Sequence, residues 1–118
     1  MRLEELIARD GETCVWCGET RWPSDLTAEH LLPRSRGGRG LPENLVVACR
    51  PCNRRRRSRS IASYLRARID AGSQPQLTPL NEALERLSHS DSRRHAEYGS
   101  RQLTLLRRLT SSPTSASR

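Results

Sequence analysis

Residues 43–57 read ENLVVACRPCNRRRR, and the fold turns on this stretch. Glu43 and Asn44 open it, Leu45 to Ala48 form an apolar run suited to a buried strand, and Cys49 and Cys52 follow as a Cys-x-x-Cys knuckle. Asn53 and four consecutive Arg come next. Upstream, Cys14 and Cys17 form a second knuckle, and 31 residues separate Cys17 from Cys49. Each knuckle presents two sulfurs from one tight turn, and two knuckles supply the four thiolates of a tetrahedral zinc site. The gap is long for a simple zinc-finger loop, so the insert must itself be structured. Zinc held by Cys14, Cys17, Cys49 and Cys52 would pin the N-terminal loop to the junction of strand and helix.

The rest of the composition makes such a staple necessary. The chain has 118 residues, no Phe, two Trp and two Tyr, and 34% hydrophobic positions. That suits one domain with a marginal core. The N-terminus, Met-Arg-Leu-Glu-Glu-Leu, has no apolar region of a secretory signal, and no stretch reaches the length of a membrane span. The protein is therefore expected to be cytoplasmic, where thiols stay reduced and paired knuckles read as metal ligands ahead of disulfides or redox pairs.

Charge is the second signal. The net charge is +8, unevenly spread. Residues 1–33 carry three Arg against seven acids, whereas residues 34–68 carry eleven Arg against the single Glu43. A segment at +10 beside a metal motif points to a polyanion partner, and nucleic acid is the expected one. All 21 basic residues are Arg, which favours bidentate phosphate contacts but also follows from a GC-rich genome.

Helical periodicity places a short amphipathic helix over residues 2–10, closed by Gly11. A knuckle and an irregular loop with Trp16, Trp22 and Pro23 follow, then a strand over Leu26–Leu32 ended by Pro33. Residues 34–40 form a basic, glycine-rich connection, and Leu45–Ala48 is the second strand. One helix is expected from about Asn53 to Ala71, with Ile61, Tyr64, Leu65 and Ile69 as its apolar stripe and Gly72 as its stop. After a linker over 73–76, Thr78 and Pro79 read as N-cap and first residue of a helix bearing Leu80, Ala83, Leu84 and Leu87. A basic helix over about 92–109 and a Ser/Thr-rich disordered tail over 110–118 complete the chain. The division is thus 1–72, 73–109 and 110–118. His89 and His95, in the appendage, read as solvated or hydrogen-bonded bystanders.

RDGETCVWCG (9–18), AEHLLPRSRGG (28–38), ENLVVAC (43–49) and CRPCNRRR (49–56) together resemble the HNH endonuclease family, over less than half the chain. The resemblance implies an α+β fold: a small, zinc-stapled ββα-metal domain, here with a helical C-terminal appendage. It implies a metal-dependent endonuclease that hydrolyses DNA phosphodiester bonds. Position by position, it makes Glu29 a ligand of a catalytic ion, His30 the general base, Asn44 a member of the catalytic set that organises the loop, and Asn53 the second ion ligand. Asn53 departs from the family's third His, though Asn is a frequent substitute there.

The residue chemistry agrees. An imidazole with a pKa near 6.5 can take a proton from water near neutral pH. Carboxylate and carboxamide oxygens are hard donors suited to Mg²⁺ or Mn²⁺. Adjacent strand residues point to opposite faces, so Glu29 and His30 share a site only at a strand end or a distortion. Arg34, Arg36 and Arg39 in the loop, and Arg54, Arg55, Arg56 and Arg57 on the helix, are expected to grip phosphates. Four consecutive Arg cannot all face one groove, so about half should be solvated. No base-reading pattern accompanies them, and DNA is expected ahead of RNA, with contacts tolerant of sequence. The competing readings are a non-catalytic nucleic-acid-binding zinc module on the same scaffold and a protein-interaction zinc domain.

Overall fold

The computed structural model describes residues 1–75 and 77–110. Helix α1 (Leu3–Asp10) leads into the first knuckle, which is followed by strand β1 (Leu26–His30), a loop with two short 3₁₀ turns, and strand β2 (Leu45–Cys49). Four helices follow: α2 (Arg50–Arg56), α3 (Ile61–Asp70), α4 (Thr78–Ser88) and α5 (Arg93–Thr110). The strands pair antiparallel with Leu26 opposite Cys49 and His30 opposite Leu45. This is the α+β, two-strand-plus-helix arrangement that the sequence led us to expect.

β1 stops at His30, two residues before its expected end. Beyond it, the Leu32 amide donates to the Asn44 side-chain carbonyl at 2.8 Å instead of to a facing strand. Asn44 thus replaces the ladder with its own carboxamide and turns the chain into the loop. The Val15 amide donates to the Val47 carbonyl at 2.9 Å, fastening the first knuckle to β2.

The single helix expected over 53–71 is two helices. Arg57 has φ 52° and ψ −131°, outside any helical region, and Ser60 caps α3 by accepting from the Ser63 amide at 3.2 Å. No Gly or Pro marks this break: residues 53–60 are only Asn, Arg and Ser, and the apolar stripe begins at Ile61. α4 begins at Thr78 with Leu77 in the cap position, so Thr78 is the first helical residue rather than the cap. The turn expected near residue 72 exists, at Gly72 with φ 92°, but apolar packing continues across it. One cluster runs from Leu6 through Leu26, Val47, Ile61 and Leu65 to Leu84, Leu87 and Leu106. α5 extends to Thr110, and the rest of the expected tail lies outside the described residues.

Candidate functional site

The knuckles meet as expected. The ligand atoms of Cys14, Cys17, Cys49 and Cys52 all lie within 4.8 Å of one another, and none of the four is in a disulfide. Tetrahedral zinc thiolates sit about 3.8 Å apart, so the cluster needs only a small contraction around an ion. Gly18, at φ 76°, closes the first knuckle, and the Trp16 amide donates to the Cys14 sulfur at 3.3 Å, a bond that favours a thiolate. The second knuckle straddles the end of β2 and the first turn of α2. Four thiols this close cannot ionise independently. The hydrogen bond between Cys52 and Cys14 draws Cys14 well below the ordinary thiol range and pushes Cys52 up, and burial raises Cys17. A cation among them removes that conflict. The donor set fits a metal ion.

His30 is the last residue of β1 and is half-buried. Among the described residues no hydrogen bond within the protein claims its ring. Its pKa lies below the ordinary imidazole value, chiefly through burial and then through the positive charges of Arg34 and Arg56 and the proximity of His95. It is therefore a neutral base near pH 7 with both nitrogens unengaged.

Glu29 is on the opposite face, as strand alternation requires. It is only 5% exposed. One carboxylate oxygen accepts from the Trp16 indole at 3.1 Å and faces the Arg56 guanidinium at 3.6 Å. Burial raises its pKa, and the Arg56 charge opposes that rise. What stands opposite this carboxylate is therefore a cationic side chain, which corrects the expectation of a ready ion ligand.

Asn53 lies one turn before Arg56 on the same helix face, beside Thr27, Arg50 and Arg54, with which it lines a shallow pocket of about 270 Å³. Two guanidiniums, a hydroxyl and a carboxamide suit an anion better than a cation. Among the described residues the four thiols are the only group of three or more Cys, His, Asp or Glu gathered closely enough to hold an ion. Glu29 thus faces Arg56, and Asn53 lies beside Arg50 and Arg54, so each has a guanidinium for a neighbour.

Two further expectations change. Asn44 is fully buried. Its carbonyl accepts from Leu32 and its amide donates to the carbonyls of Leu32 at 3.2 Å and Arg39 at 2.9 Å. It organises the loop and touches no solvent, so it positions the site without being catalytic in the direct sense. Arg56 is not a phosphate contact: it is 0% exposed. Its guanidinium donates to the carbonyls of His30 at 2.7 Å, Leu31 at 2.6 Å and Arg59 at 2.6 Å, and to the Tyr98 hydroxyl at 3.3 Å, and it lies over the Trp16 ring. The middle of the arginine run is a buried strut for the backbone of His30. Arg34, Arg36, Arg39, Arg54, Arg55 and Arg57 are exposed and remain available to phosphate.

The sequence reading missed how closely the C-terminal helices hold this site. His95 is buried, and its ring accepts from the Arg39 amide at 3.0 Å and pairs with the Ser92 hydroxyl at 2.7 Å. Tyr98 reaches Arg56 and the Ile61 amide, and Gln102 accepts from the Ala62 amide at 2.9 Å. Glu43, in the loop, accepts from Ser90 at 2.6 Å. None of these partnerships has a local sequence signal.

Residues 14–69, just under half of the chain, match the model of a family described as HNH endonuclease, and this supports a nuclease-type function. Among solved structures, the crystal structure of the Type II-C Cas9 enzyme from Actinomyces naeslundii is similar with a TM-score of 0.57 at 19% identity. The match covers 90% of this chain and 12% of that one, so the chain corresponds to a small part of that enzyme, and the likeness is one of fold. No curated protein matches the chain. No helix among the described residues is long and apolar enough to cross a membrane.

Proposed function

We propose that this protein is an HNH-type endonuclease that hydrolyses phosphodiester bonds of DNA, with His30 as general base. The observation that carries the reading is the placement of His30: a neutral imidazole whose ring makes no hydrogen bond among the described residues, at the end of β1 beside Arg34, within the segment that matches the HNH endonuclease model. In this scheme Arg34 and its neighbours hold the phosphate, and His30 takes a proton from water. The resulting hydroxide forms the new P–O bond as the ester P–O bond breaks, and the departing sugar oxygen takes a proton from solvent. Arg56 holds the carbonyl of His30 and Asn44 holds the loop, so base and phosphate grip keep one geometry. The four thiols would carry a structural zinc ion that fastens the first knuckle to α2. The divalent ion that the family resemblance implies, Mg²⁺ or Mn²⁺, would supply charge neutralisation at the phosphate, but it has no ready site here and none of these steps is assigned to it. The free thiols suit a cytoplasmic setting.

The Glu29–Arg56 pairing favours a second reading, a nucleic-acid-binding module without catalysis. Incubating purified protein with plasmid DNA in Mg²⁺, in Mn²⁺ and in EDTA separates the two. Cleavage by the wild type, slowed about 10² to 10⁴ in His30→Ala with metal content and DNA affinity retained, is the expected outcome. His30 is outside the thiol cluster and neutral, so neither the fold nor the field that attracts DNA depends on it. Binding without cleavage under every condition would establish the second reading, and equal single-turnover rates for wild type and His30→Ala would remove His30 from the chemistry.

A further inference from the structure

The arginines of the 34–40 loop are not alone at their surface. Gly37 has φ 95°, and a Cβ built there would sit 3.1 Å from Cδ and 3.2 Å from Cζ of Arg94. The Arg94 side chain, from the first turn of α5, therefore lies flat against the loop at the point where only glycine leaves room for it. Its position is set from below. The next residue, His95, is buried and holds the Arg39 amide, and Tyr98, one turn on, holds the Arg56 strut. Arg36 and Arg94 thus flank the same stretch of helix, close enough to bias Tyr98 and His95 respectively.

Among the described residues, no carboxylate lies within ion-pair distance of Arg34, Arg36, Arg39 or Arg94. The nearby acids are engaged elsewhere, Glu43 by Ser90 and Glu97 by Arg93. On α5 itself the neighbouring Arg93 and the distant Arg107 have carboxylate partners, Glu97 and Glu85, whereas Arg94 has none. These four arginines are exposed on the loop and on the first turn of the helix that lies against it, and none has a carboxylate partner in an ion pair among the described residues, so a polyanion could supply their counter-charge.

The geometry points to Arg94 as a phosphate-binding residue contributed by the C-terminal helix, completing with Arg34, Arg36 and Arg39 a four-guanidinium surface for the DNA backbone. It lies well outside the segment that matches the family. This rests on the nuclease reading and deepens it: the helical appendage is part of the substrate grip as well as of the core.

The test is binding of a labelled DNA duplex across a salt series by wild type, Arg94→Ala, Arg94→Lys and Arg108→Ala, with plasmid cleavage by the wild type measured alongside. Arg108 is exposed at the far end of α5, about 21 Å along the helix axis, so its loss changes net charge equally without touching the loop. Arg94→Ala should weaken binding about two- to fivefold and flatten the log–log salt slope by about 0.9. Arg94→Lys should keep most of that slope, and Arg108→Ala should keep all of it. An unchanged slope in Arg94→Ala, or an equal loss in Arg108→Ala, overturns the inference. If the wild type still cuts plasmid, the nuclease reading stands regardless. A wild type that neither binds nor cuts DNA overturns both.

Discussion

The knuckle-bearing segment and the C-terminal helix pair hold their shapes by different physics. α4 and α5 are amphipathic helices packed on each other, with Leu80, Leu84, Leu87 and Leu106 buried in the apolar core. The segment from Cys14 to Arg59 sets polar groups among its buried aliphatic side chains: four thiols at one end, and the Arg56 guanidinium with Glu29, Trp16 and three carbonyls at the other. An apolar interface tolerates small shifts, whereas a buried charge or a metal cluster does not. Directional contacts dominate the half that carries His30. The half that clamps it is mainly apolar and adds directional contacts at His95, Tyr98 and Gln102.

The largest break in this contrast should come from the thiol cluster. Elemental analysis of reduced protein is expected to find one zinc per chain, and chelation, or Cys49→Ser, should unfold the knuckle half or leave it molten. Structural zinc sites are worth on the order of 10 kcal/mol, comparable to a small domain's whole stability. Folded, reduced protein that contains no zinc would overturn the assignment.

The next effect concerns Arg56. Arg56→Met should cost about 3–5 kcal/mol in denaturant unfolding, because Glu29 would remain buried without a counter-charge and three carbonyls would lose their donor. The double variant Glu29→Gln, Arg56→Met should recover part of that loss. If the single variant is as stable as wild type, Arg56 is not the strut its contacts describe.

The smallest effect sharpens the clamp. His95 has a lowered pKa, first through burial and then through the charges of Arg39 and Arg94, although Glu43 opposes them. Folded protein therefore binds fewer protons than unfolded chain just below the ordinary histidine value. Stability should be full above about pH 6.5 and decline as pH falls from there toward the folded value. Protonation also sets an N–H against the Arg39 amide that the ring now accepts from. His30 shifts in the same direction, so the comparison is with His95→Leu. That variant should lose on the order of 1 kcal/mol at pH 8 and show a shallower decline on acidification in a thermal-melt series. An identical decline would assign the effect to His30 alone.

Much of this molecule was legible in its residues. The two Cys-x-x-Cys pairs sufficed for the thiol cluster, because two sulfurs on each tight turn can converge in few ways. The apolar run 45–48 marked its strand, and the heptad-like leucines after residue 77 marked both C-terminal helices. The motif around Glu29, His30, Asn44 and Asn53 led to the family that residues 14–69 match. These signals are local, and local spacing determines them.

Three things needed the tertiary structure. Arg54 to Arg57 are identical in sequence, yet Arg56 is buried and the others are exposed, because only that position on α2 faces β1 and Trp16. Glu29 carries the motif's carboxylate, but the residue opposite it, 27 positions away in the chain, decides whether it meets an ion or a guanidinium. The roles of His95, Tyr98 and Arg94 depend on where α5 lands on the loop, which is set by packing between segments distant in the chain. Composition and periodicity identify what each segment can form. Which side chain meets which is decided only when the faces close, because burial and charge pairing act through space and not along the chain.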